Sequence, residues 1–169
     1  MRESGAGFTI IEVLIYIAIV SFVVLSVSSF IFYLTYSNAK TKGDREVMEN
    51  ARRALEIIMY EIHSAKSIYT PTTTTSQLSL ETSKYLPQGE TTTYIDFFLC
   101  GSRLCLKKES QEPIFLTSDT VEVTNITFTQ IAVNNSMSIK ISITVNYQDA
   151  IKDQQPSVTL TSTASLRNN

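Results

Sequence analysis

The chain has 169 residues, with 14 Lys and Arg against 16 Asp and Glu, a length that fits one ordinary domain with an appendage. A pI near 5.4 lacks the basic excess that nucleic-acid binding leaves in a sequence, so no nucleic-acid partner is expected. Two Cys and one His are too few for a Cys/His metal cage, and no phosphate loop, paired-carboxylate motif or nucleophile elbow is present, so neither enzyme, cofactor nor metal site is expected.

The chain opens with GAGFTIIEVLIYIAIVSFVVLSVSSFIFYLTYSNAK, in which Glu12 is the one charged side chain between Phe8 and Ala39. Without Pro or Gly from Phe8 to Ala39, the segment predicts an unbroken helix. The uncharged run after Glu12 would extend about 40 Å, enough for a hydrocarbon core of about 30 Å. It is too long for the apolar region of a secretory signal, and no small-residue cleavage site follows it. Ser21, Ser26, Ser28 and Ser29 are placed to bond back to the helix's own carbonyls. A carboxylate in hydrocarbon costs roughly 2.5–3.5 kcal/mol, so Glu12 requires a partner or a place at the headgroups, where the helix dipole favours it.

Beyond Lys40 the helical period continues with Val47, Ala51, Leu55, Ile58, Ile62 and Ala65 on one stripe. Arg45, Glu49, Arg52, Arg53, Glu56 and Glu61 fall largely away from it, and Gly43 is the weak point, costing about 1 kcal/mol against Ala. One helix over roughly residues 9–66 is therefore expected, membrane-like over 8–39 and amphipathic over 40–66. Residues 67–169 read as a polar loop, TPTTTTSQ, followed by strands. These are a hairpin in TTYIDFFLCGSRLCLKK, then VEVTNITFTQIAV, MSIKISITVNY and SVTLTSTASL. In the third segment Ile139, Ile141, Ile143 and Val145 alternate with Lys140, Ser142, Thr144 and Asn146, which predicts an antiparallel sheet with one wet face. The helix stripe and the apolar sheet face call for each other, giving an α+β fold.

The N-terminal segment resembles the cleavage and methylation segment of type IV pilins and pseudopilins, in the order Gly-Phe-Thr-x-x-Glu before an uncharged helix. The resemblance covers about the first forty residues, and ARRALEIIMYEIHSAKSI leading into strands is more like minor pilins and J-type pseudopilins than shaft pilins. It implies a leader over 1–7, cleavage between Gly7 and Phe8, N-methylation of Phe8, and a filament-assembly role for Glu12. The implied partners are other pilin subunits, a prepilin peptidase, an assembly platform and, before assembly, membrane lipid. The implied location is a single pass in the cytoplasmic membrane, then a surface or periplasmic filament. A J-type pseudopilin of a type II secretion or competence system is the near alternative, and an uncleaved, membrane-anchored adhesin or binding module the distant one. Ala6 stands where many members carry Lys, and Lys40, Lys42 and Arg45 follow the segment while Arg2 is offset by Glu3. A positive-inside count alone therefore points the opposite way to the resemblance.

Cys100 and Cys105 frame GSRL, and two registers are open. A two-residue Gly101-Ser102 turn sets Cys100 opposite Arg103 and Cys105 opposite Phe98; a four-residue loop sets the cysteines opposite each other, where a disulfide fits. The extracytoplasmic head that the resemblance implies makes a bridge the expectation, and the register decides whether Ile95, Phe97 and Leu99 or Tyr94, Asp96 and Phe98 face the helix. His63 reads as a surface or structural residue, and Asp149 and Asp153, near a turn, lack an EF-hand ligand series.

Overall fold

Helix α1 runs without interruption over Ile10–Ser64, in a computed structural model that describes Gly7 and residues 9–109, 111–133, 136–148 and 155–166. The chain divides into two compact units, Met1–Thr41 and Lys42–Asn169.

In the first unit the helix is long and apolar enough to cross a membrane, by length and composition. Its large side chains lie open to their surroundings, with Phe22 73% and Phe32 76% exposed. A continuous apolar surface of this kind requires lipid or protein around it. Ser21 Oγ donates to the Ile17 carbonyl at 2.7 Å and Ser26 Oγ to that of Phe22 at 2.9 Å, so these hydroxyls present no unsatisfied donor to an apolar surrounding.

Among the described residues the second unit holds eight strands: β1 (Ser67–Ile68), β2 (Leu78–Thr82), β3 (Thr93–Cys100), β4 (Arg103–Lys108), β5 (Ile114–Phe115), β6 (Val121–Val133), β7 (Ser136–Tyr147) and β8 (Ser157–Ser165). They form two antiparallel sheets, β1-β2-β3-β4-β5 and β6-β7-β8, against which the helix packs as an α+β fold. The expected stripe is the helix's buried face: Val47, Ala51, Leu55, Ile58, Ile62 and Ala65 are all buried, joined by Ala54. Opposite them lie Leu78, Leu80, Ile95, Phe97, Leu104 and Leu106 of the larger sheet and Ile139, Ile141, Ile143 and Val145 of the smaller one.

Three features differ from the sequence reading. A single sheet was expected, but the ladder ends at the two-residue β5 and restarts at β6. The sequence reading also lacked β1, β2 and β5: β1 and β5 have two residues each, too short to alternate, and in the five-residue β2 both Leu78 and Ser79 are buried, the latter's hydroxyl donating to Asp96. Glu61, placed away from the stripe, is buried at 4% exposure.

Gly43 also has a positive purpose. A Cβ there would stand 2.9 Å from Cγ of Pro156 and 3.4 Å from Cδ1 of Tyr147, so only glycine lets the helix approach the β7–β8 connection this closely. The outward face of the smaller sheet is a field of hydroxyls. Ser138 pairs with Ser165 at 2.8 Å, Thr144 with Thr159 at 2.9 Å, and Thr161 donates to Ser142 at 3.3 Å. Among the described residues, Lys140 and Glu122 are the charged side chains of that face.

Candidate functional site

Glu12 lies in the first turn of α1, where the exposed N–H dipoles of the helix favour a carboxylate. Thr9 caps the helix: the Glu12 N–H donates to the Thr9 carbonyl at 3.1 Å and points to Thr9 Oγ1 at 3.4 Å. The sequence carried this signal as Thr-x-x-Glu before an apolar run, half of a capping box, and the sequence reading of Glu12 passed over it. One turn on, Tyr16 Oη donates to Glu12 Oε1 at 3.5 Å. Glu12 is half-buried by its own helix, while the residues around it, Ile10, Ile11 and Val13, are exposed. Gly7 is exposed ahead of the helix with open space around its Cα. Phe8 and leader residues 1–6 lie outside the described residues, as do Asp149 and Asp153.

The β3–β4 turn places the cysteines. Gly101 takes φ +68° at the first central position of a two-residue turn, a conformation that glycine adopts without strain and that matches the twist of a hairpin. Cys100 therefore pairs with Arg103 and Cys105 with Phe98, the shorter of the two registers. A disulfide nevertheless joins Cys100 to Cys105, diagonally across the hairpin with 5.9 Å between Cα atoms. The expectation that a bridge requires the four-residue loop is thus corrected: a diagonal pair on one face of a twisted hairpin comes within bridging distance. In this register Ile95 and Phe97 are buried and Leu99 packs against the core, while Tyr94, Asp96 and Phe98 face outward. The Arg103 guanidinium stacks 3.4 Å above the Phe115 ring beside the bridge, and Cys105 is buried.

His63, Glu61, Tyr85 and Glu81 make contacts within the head. His63 Nδ1 meets the Ser165 carbonyl at 2.9 Å and ties the helix end to β8. Buried Glu61 accepts a hydrogen bond from Tyr85 Oη at 3.1 Å through Oε1, and its Oε2 has no partner among the described residues. Tyr85 sits at φ +61°, an uncommon conformation for a bulky residue. Burial first, then the charge of Glu61 and the bond to it, raise the Tyr85 hydroxyl above its ordinary value of 10.0. On β2, Ser67 Oγ at 2.6 Å and then Lys66 Nζ at 3.3 Å hold the Glu81 carboxyl below its ordinary value. Among the described residues no three His, Cys, Asp or Glu side chains gather as metal ligands.

Comparison with family models, with curated proteins and with solved structures finds no match.

Proposed function

We propose that this chain is a minor type IV pilin or a related pseudopilin, a structural subunit inserted in the cytoplasmic membrane and then built into a filament. The observation that carries this reading is Glu12, the lone charge in the exposed apolar stretch of α1 that runs to Ala39. In a lipid or protein surrounding, an isolated carboxylate is costly, whereas a paired one is tolerable. Cleavage after Gly7 would turn a neutral peptide nitrogen at Phe8 into a positive amine, and the Phe8 amine of a neighbouring subunit would then give Glu12 the cationic partner that it has nowhere among the described residues. Assembly is thereby coupled to processing, because the uncut chain has no amine at that place. The α+β head, with its helix stripe packed on antiparallel sheets, is consistent with this reading.

The test replaces Glu12 with Ala and compares sheared filaments with membranes. Insertion should be unchanged or improved, since a desolvation cost has gone, while incorporation into filaments falls. The mature protein should begin at Phe8 by mass spectrometry. Equal incorporation of the variant defeats the pairing mechanism, and a mature chain that keeps residues 1–7 favours a permanent anchor.

A further inference from the structure

Three of the four sheet edges are blunted and one is not. β1 and β5 offer two residues each. β6 bulges between Val123 and Asn125, and its outward N–H groups at Val123 and Phe128 donate to the carbonyls of Ser102 and Thr75. Short strands, bulges and covering loops are the means by which natural sheets avoid unwanted pairing. β8 has none of them among the described residues: it runs for 9 residues without a charge or a Pro.

The phase of its ladder shows what that edge presents. Tyr147 N–H donates to the Pro156 carbonyl at 2.9 Å and Leu166 N–H to that of Met137 at 3.0 Å. Even-numbered residues of β8 therefore bond to β7, and the N–H and C=O groups of the odd-numbered ones point outward. The Ser165 carbonyl meets His63, but the outward backbone groups of Thr159, Thr161 and Thr163 have no partner among the described residues. Along this edge lies an open groove of about 350 Å³, walled by Arg52, Leu55, Glu56 and Met59 of α1 and by Leu160, Thr161 and Ser162. Arg52 and Glu56 are one helical turn apart and enter no ion pair among the described residues.

We propose that β8 and this groove receive an extended segment of another polypeptide as a fourth, antiparallel strand carrying a basic residue and, two positions later, an acidic one. Met59 meets Ser162 and His63 meets Ser165, so α1 and β8 run in the same direction along the groove. An antiparallel guest then passes Glu56 before Arg52, which sets the order basic-x-acidic. Alternate residues of a strand repeat at about 6.8 Å, close to the 5–6 Å between side chains one helical turn apart. The residue between the two charges points to the hydroxyl face, where Ser or Thr fits. Leu55 and Met59 give flanking apolar residues a floor, and methionine adapts to what it meets. The β8 of a second copy has no charge to offer Arg52 or Glu56, so the donor is a different segment. Main-chain bonds supply affinity in such strand addition and the side-chain pockets supply choice.

The test uses the full chain in detergent micelles and two fluorescein-labelled peptides, VTVTKTETV and its charge-swapped form VTVTETKTV, read by fluorescence anisotropy. The first should bind saturably and about fivefold more tightly than the second, the scale of two partly exposed charge pairs reversed from attraction to repulsion. Thr161→Pro should abolish binding while sparing the fold, because that N–H points outward and gives up no ladder bond. The double variant Arg52→Glu, Glu56→Lys should invert the preference between peptides. Absence of saturable binding up to about 1 mM, equal affinity for both peptides, or full binding by Thr161→Pro overturns the proposal. Self-association that Thr161→Pro removes, with neither peptide bound, gives the edge to a second copy and overturns it equally.

Discussion

Removing the Tyr85 hydroxyl is the most direct probe of the head's electrostatics. In Tyr85→Phe the ring, the Lys108 ammonium 3.6 Å above it and the backbone at φ +61° are all retained, so only the bond to Glu61 is lost. Glu61 is 4% exposed and its Oε2 has no partner among the described residues, so the variant leaves a buried carboxylate with no hydrogen bond from them to either oxygen. Losing a hydrogen bond to a buried charge costs about 1.5–3 kcal/mol. The lower end applies here, because Tyr85 is itself 45% exposed and water can take part of its place. That corresponds to a fall in melting temperature of roughly 5 °C for a unit of this size. The assay is thermal unfolding of the full chain in micelles, followed by near-UV circular dichroism at several pH values. A raised hydroxyl pKa means that the folded state holds the proton longer than the unfolded one. The Tyr85 contribution is then complete below pH 10.0 and is lost as pH rises through the higher folded value. Wild type should lose stability in that alkaline window, and Tyr85→Phe should lose less. A variant as stable as wild type near neutrality, with the same alkaline decline, would refute the claim that this bond neutralises the burial of Glu61.

Gly43→Val should destabilise the head by about 1–2 kcal/mol in denaturant unfolding, because overpacking against the Pro156 ring exceeds the gain in helix propensity; equal or greater stability would remove the close-approach argument. Replacing both Cys100 and Cys105 with Ser should cost about 2 kcal/mol, less than a 15-residue loop, since the bridge spans a sequence separation of only 5. The β3–β4 register should survive that change, because Gly101 sets the turn, and cross-strand contacts between Phe98 and Cys105→Ser by NMR would check it.

The long regular elements were legible in the sequence and the short ones were not. The helix stripe from Val47 to Ala65 and the alternation from Ile139 to Val145 repeat often enough that periodicity alone assigns their buried faces. β2 alternates only once over, Leu78-Ser79-Leu80-Glu81, and the alternation misassigns its faces, because Ser79 is buried as fully as Leu78 and Leu80, its hydroxyl held by Asp96. Glu61 broke the rule that charges lie off the stripe because a tyrosine distant in sequence covers it, a contact that no local reading contains. Gly43 read as a weakness because its reason, Pro156 and Tyr147, arrives more than a hundred residues later. At the N-terminal segment the order Gly-Phe-Thr-x-x-Glu was legible, and the cap by Thr9 lay in the same few residues, whereas the contact of Tyr16 Oη with Glu12 one turn on appears only in the folded helix.

The hydroxyl face of the β6-β7-β8 sheet has a consequence for encounters in solution. Serine and threonine carry dipoles that fade within a few ångströms, so a surface built from them casts almost no field beyond its own hydration layer. Lys140 and Glu122 nearly cancel across it, and mobile ions have little there to screen. A molecule approaching from that side is neither drawn in nor turned away before touching, and raising the ionic strength changes its arrival rate very little. Discrimination on this face therefore happens only after contact, through whether the newcomer can replace the bound water hydroxyl by hydroxyl.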